Sequence, residues 1–136
     1  MRHPDSDDRE QLAALLCERS LRRGDFVLSS GARSDYYIDA RTTTMSGLGQ
    51  YLIGRVGLTT LNEADWRPDA IGGLTLGADP VAYAIAHAAA ALDRTLDAFT
   101  VRKQAKQHGA GRRIEGAFRS GMHVVVCEDT ITSGAS

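Results

Sequence analysis

The sequence is poor in the features that assign a class at once. It has only two cysteines, Cys17 and Cys127, which can build neither a disulfide framework nor a four-thiolate zinc site. Three prolines stand against fourteen glycines, so glycine serves tight turns and close backbone approaches here rather than a linker. No apolar run approaches the roughly 20 residues of a membrane span, and no apolar signal core follows the N-terminal Met1–Asp8. Neither sign of charge dominates. Sixteen Lys and Arg against seventeen Asp and Glu leave a net charge of −1, which argues against a dedicated nucleic-acid or membrane-surface binder. Repeats and low-complexity tracts are absent as well. What remains is a chain of 136 residues, 43% hydrophobic and 24% charged, able to bury a core of one domain's size. These absences predict a soluble, cytoplasmic protein.

The residues that are present fall into two grammars. In the first half, Asp7 with Glu10 predicts the start of a helix, with Leu12, Leu15 and Leu16 as its apolar stripe and Gly24 as its C-terminal glycine. Phe26–Leu28 and Tyr36–Ile38 predict a hairpin about the turn-forming stretch Ser29–Asp35. Leu48, Leu52 and Val56 mark a second helix, weakened by Gly49, Gly54 and Gly57. From Asp69 strands and helices alternate: strand Ala70–Leu74 running into a glycine turn, helix Pro80–Leu92, strand Ala98–Val101 and strand His123–Cys127. Continuous apolar strands with long connections favour a parallel sheet in an α/β fold. Residues 1–68 are thus read as an N-terminal helix, hairpin and second helix that form a hood and the start of the core, and 69–136 as the core itself, within one structural domain.

Two segments carry chemistry. Between Arg102 and Gly121 there is no apolar period, yet Arg102, Lys103, Lys106, Arg112, Arg113 and Arg119 face Glu115 alone. That cluster is a solvated basic loop, a lid that neutralises a polyanionic ligand, or a nucleic-acid patch without its aromatic residues. The other segment is sharper. Strand Val124–Cys127 ends in Glu128-Asp129 and runs into Thr130-Ile131-Thr132-Ser133-Gly134-Ala135-Ser136. Ligands of open α/β sheets bind beyond the carboxyl ends of strands, where hydroxyls and backbone N–H groups cradle anions. Two carboxylates just before such a cradle suit a sugar phosphate. The segment lacks the Gly-Lys-Ser/Thr of a nucleotide P-loop, and no glycine cluster here completes a dinucleotide fingerprint. His3, His87 and His123 read as exposed or structural, Cys17 and Cys127 as packing residues, and Trp66 as an edge residue before the first core strand.

Val124–Ser136, VVVCEDTITSGAS, resembles the segment that binds 5-phosphoribosyl-1-diphosphate (PRPP) in type I phosphoribosyltransferases. Val101–Gly109 resembles the catalytic loop of the orotate phosphoribosyltransferases among them, and Phe26–Gly31 with Ser34–Tyr37 is similar to their orotate-side hairpin. The resemblance implies a Rossmann-like parallel sheet of the type I kind beneath a helix-hairpin hood. It implies transfer of the phosphoribosyl group from PRPP to orotate, giving orotidine 5′-monophosphate and pyrophosphate, with Mg2+ and in a homodimer that shares its active sites. Lys106, Asp129 and Arg102 would be catalytic. Arg102, Lys103, Lys106 and His108 would hold the diphosphate, Glu128 and Asp129 the ribose hydroxyls. Thr130, Ile131, Thr132, Ser133, Gly134, Ala135 and Ser136 would hold the 5-phosphate; Thr132, Tyr36 and Tyr37 would face orotate. A Gly72-Gly73 turn would lie under the diphosphate, and no protein metal ligand is assigned. Two positions depart from the pattern: Ser29 stands where many members carry lysine, and Thr75-Leu76 where some carry an aromatic–lysine pair. Members also run beyond the position of Ser136, so a longer protein is expected. A type I enzyme acting on a purine base, or a non-catalytic PRPP-binding regulator, are the alternatives.

Overall fold

The computed structural model describes residues 4–105 and 111–136. Helix α1 spans Pro4–Arg19, so it opens ahead of Asp7, with proline in the first turn where its missing N–H costs nothing. Asp7 is not the cap that its spacing to Glu10 suggests. Its carboxylate accepts a bond from Gln11 Nε2 at 2.8 Å, the pairing of residues one helical turn apart. Leu15 is buried and Leu12 packs against the core, as the stripe requires. The chain then turns directly into β1 (Leu21–Val27), which pairs antiparallel with β2 (Arg33–Ile38) from Leu21↔Ile38 to Val27↔Arg33. The expected hairpin therefore forms, with longer arms. Gly24 is a strand residue rather than a helix stop. It sits in the register irregularity between Arg23 and Phe26, where a Cβ would lie 3.1 Å from the Phe26 ring.

A single turn, α2 (Arg41–Thr44), leads into α3 (Gly47–Glu63), whose start is capped by Ser46 Oγ accepting from the Gly49 N–H at 3.1 Å. Leu52 is buried on the expected face, but Leu48 is half exposed, and the buried face continues through Ile53, Leu58 and Leu61. The helical glycines explain the shift. A Cβ at Gly54 would stand 2.7 Å from the Ala84 carbonyl oxygen of the next helix, so this glycine marks a close helix crossing that repays its low propensity.

The core sheet contains β3 (Ala70–Leu74), β4 (Asp97–Val101), β5 (Ile114–Gly116) and β6 (Val124–Val126), in the order β5-β4-β3-β6. The central strand β3 pairs parallel with both β4 and β6. Helix α4 (Ala78–Ala90) makes the crossover from β3 to β4. Ile53, Leu58, Ile71, Ile85 and Leu96 fill the space between α3, α4 and the sheet. Two sequence expectations change here. The basic stretch after Arg102 is not all loop: β5 returns antiparallel along β4, and the Arg102 N–H donates to the Arg113 carbonyl at 2.7 Å. Gly72 and Gly73 are no turn either. Both are buried inside β3, and a Cβ at Gly73 would lie 2.3 Å from the Cys127 carbonyl oxygen. Trp66 precedes β3 as expected, but its side chain is exposed instead of packed. Among the described residues no helix is long and apolar enough to cross a membrane.

Candidate active site

Parallel pairing brings the carboxyl ends of β3, β4 and β6 to one edge of the sheet. Beyond β6, the Cys127 N–H donates to the Gly72 carbonyl at 2.8 Å and extends the ladder by one residue. Glu128 and Asp129 leave the sheet at that point. Their carboxylates are held by the chain that follows: Glu128 Oε1 accepts the Asp129 N–H at 3.0 Å, and Asp129 Oδ1 accepts the Thr130 N–H at 2.8 Å. Beyond β3, the turn Thr75–Gly77 comes up against both acids. A Cβ at Gly77 would lie 2.5 Å from Asp129 Oδ1 and 2.5 Å from Glu128 Oε1, so a side chain there would push the two carboxylates out of these positions.

A third acid stands behind the turn. Asp79, buried in the first turn of α4, accepts from Thr75 Oγ1 at 2.6 Å and from Thr100 Oγ1 at 2.8 Å. Thr100 Oγ1 in turn shares a hydrogen bond with the Tyr83 hydroxyl at 2.7 Å. The network ties the turn to α4 and to β4, which fixes one wall of the site. Burial raises the Glu128 carboxyl above its ordinary range, with the charges of Asp129 and Asp79 adding to it. Burial, and then the charge of Glu128, pushes the Cys127 thiol up to about 11. That thiol is protonated and inert at neutral pH, in keeping with a packing role.

Glu128, Asp129, Thr130 and the Leu74–Gly77 turn line a cavity of about 260 Å³ together with Tyr37, Ile38, Asp39, Ala40 and Arg41 from the hood side, Lys103 beyond β4, and Ser136. Of the residues singled out from the sequence, the fold brings Tyr37, Lys103, Glu128, Asp129, Thr130 and Ser136 to this cavity. Tyr36 is not among its lining residues. Arg102 also stands outside it, its Nε donating to Glu115 Oε1 at 3.0 Å. Ile131, Thr132, Ser133, Gly134 and Ala135 are exposed and do not line it. Lys106 and His108 lie outside the described residues. Two charged lining residues, Asp39 and Arg41, were not singled out from the sequence. The polar run behind Tyr36-Tyr37-Ile38 was the available signal, but only the docking of the hairpin places it here.

A larger groove of about 1250 Å³ runs between α1, α3 and α4 and contains His87. Its ionic groups are matched to each other, Arg9 with Glu63 and Arg55 with Asp8, and it lies away from the strand ends. The smaller cavity holds the chemistry. Two carboxylates at the end of a parallel strand, a Thr/Ser/Gly segment directly after them and a glycine turn opposite define a type I phosphoribosyltransferase core.

Comparison with known proteins agrees with this class. No protein-family model matches the chain. It is 50% identical over 131 residues to orotate phosphoribosyltransferase of Corynebacterium glutamicum, covering 96% of this chain and 68% of the relative. A crystal structure of Mycobacterium tuberculosis orotate phosphoribosyltransferase superposes with a TM-score of 0.80 at 49% identity, over 95% of this chain and 71% of that one. A second structure of the tuberculosis enzyme, in complex with PRPP, gives a TM-score of 0.73 at 44% identity, over 93% and 67%. The chain belongs to the orotate phosphoribosyltransferase family.

Proposed function

We propose that this protein transfers the 5-phosphoribosyl group of PRPP to orotate, releasing pyrophosphate and forming orotidine 5′-monophosphate, in the cytoplasm and as a homodimer. The observation that carries this reading is the convergence of Glu128, Asp129, the Thr75–Gly77 turn and Lys103 on one cavity beneath Tyr37. The reaction is a displacement at the anomeric carbon of ribose. Positive charge develops on the sugar while negative charge develops on the departing diphosphate. Glu128 and Asp129 accept hydrogen bonds from the ribose hydroxyls and favour the cationic sugar, and their anchored carboxylates need little reorganisation to do so. Lys103, with Arg102, Lys106 and His108, meets the diphosphate. Thr130–Ser136 offers hydroxyls and backbone N–H groups to the 5-phosphate. Arg102 must exchange Glu115 for the ligand to take part.

Magnesium is the cofactor of this reading. Among the described residues no group of three or more His, Cys, Asp or Glu side chains could cage a metal. An ion that binds through one or two carboxylates plus substrate phosphates fits the Glu128–Asp129 pair, which would hold it beside the diphosphate. When bound, it neutralises charge on the leaving diphosphate. The homodimer is part of the same proposal, supported by the resemblance of Val101–Gly109 to a loop that would reach a neighbouring subunit's site.

The test is an assay with PRPP and magnesium and with orotate or hypoxanthine as acceptor. Orotidine 5′-monophosphate and pyrophosphate should form in equal amounts, with no transfer to the purine. Transfer to hypoxanthine instead would move the protein to the purine branch, and no transfer to either would return it to a PRPP-binding role.

A further inference from the structure

The cavity has a cation on its hood side that the proposed chemistry leaves unused. Arg41 and Lys103 are the two basic residues among its described lining, and the Thr75–Gly77 turn brings no charge of its own. Arg41 is the first residue of α2, and the two threonines that end this turn, Thr43 and Thr44, are buried. Thr43 Oγ1 shares a 2.7 Å hydrogen bond with the buried Ser20 hydroxyl, and Thr42 Oγ1 bonds to the Asp39 carbonyl at 2.8 Å. The backbone under Arg41 is therefore fixed, although half of its side chain is exposed. Its Nε donates to Asp39 Oδ1 at 3.3 Å. That bond aims the guanidinium and leaves its terminal nitrogens without a partner among the described residues. A guanidinium fork matches a carboxylate with two parallel N–H bonds. Tyr37 and Ile38, a few residues before it, line the same cavity with an aromatic and an aliphatic side chain.

We propose that Arg41 is a specificity-determining residue of the acceptor site: its terminal nitrogens take the carboxylate of an acidic pyrimidine whose ring lies against Tyr37. This deepens the transfer reading and rests on it. A diphosphate would draw on Lys103 across the cavity, whereas an aromatic face joined to an arginine fork selects a planar ring acid.

The experiment compares the native protein with Arg41→Gln and Arg41→Lys, using orotate, PRPP, and uracil as the same ring without its carboxylate. Arg41→Gln should raise KM for orotate about ten- to a hundredfold, the loss of a hydrogen bond to a charged group. KM for PRPP should not change, and the preference for orotate over uracil should fall by the same factor. Arg41→Lys, which keeps the charge but not the fork, should lie between. An unchanged KM for orotate would overturn the assignment, and so would a rise in KM for PRPP, alone or together with that for orotate. Equilibrium binding of orotate to native protein and to Arg41→Gln repeats the comparison without turnover. A native protein that binds orotate but transfers nothing would sink the transfer reading, and the Arg41 assignment would still stand or fall on weaker or equal binding by the variant.

Discussion

The two walls of the cavity are built on opposite principles. The β3 wall belongs to the core: Ala70 and Ile71 are buried to within 1% of complete, and parallel neighbours flank the strand on both sides. The β2 wall belongs to an exposed hairpin. Val27, Tyr36, Tyr37 and Ile38 are all substantially open to solvent, and β2 pairs with β1 alone. What secures the hairpin is a knot of hydroxyls at its root, where Ser20 meets Thr42 at 3.0 Å and Thr43 at 2.7 Å, and where the Asp39 N–H donates to the Ser20 carbonyl at 3.0 Å. Hydrophobic burial sets the β3 wall, and a few directional bonds set the wall of Tyr37 and Arg41. The β3 wall should therefore fail only with the whole fold, while the hood wall should be adjustable without unfolding.

Three substitutions test this contrast. Ile71→Ala removes a buried side chain from the middle of the sheet and should cost about 2–5 kcal/mol in urea or thermal unfolding. Cooperative loss of the fold should accompany any loss of activity. Ser20→Ala takes out the centre of the hydroxyl knot and should cost on the order of 1–3 kcal/mol, with faster amide exchange concentrated in the hairpin and a higher KM for orotate. A Ser20→Ala effect equal to that of Ile71→Ala and spread over the sheet would erase the distinction. Arg33→Ala breaks the ion pair with Asp25, whose side chains are 75% and 71% exposed. Its unfolding cost should not exceed about 0.5 kcal/mol. A larger cost would mean that surface charge, and not the knot, holds the hood.

Legibility from sequence follows the same division. The core strands were readable because a parallel strand buried on both faces is a continuous apolar run, and Ala70–Leu74 matches β3 residue for residue. The carboxylate pair was readable because Glu128-Asp129 follows such a run directly. Helix α1 was found but its start was displaced, since Asp7 satisfies a capping pattern and a one-turn side-chain pair equally well. Strand β5 was missed because Ile114–Gly116 is three residues long and gains strand character only from its pairing with β4. Gly54 looked like a weakness because its reason lies in the Ala84 backbone, thirty positions away.

By itself, then, the sequence determined the α/β alternation, the acidic strand end with its Thr/Ser/Gly segment, the basic stretch and the family they resemble, because each is written in neighbouring residues. Tertiary structure decided which of these groups meet. It set Arg102 on Glu115, led Thr75–Gly77 up to the two acids, buried Asp79 behind that turn, and brought Arg41 to the cavity from the short helix after the hairpin, almost ninety residues before Glu128. The physical reason is that periodicity and turn chemistry act over a few residues, whereas a site is assembled by strand order and helix packing. Those are settled only when distant segments exclude water together.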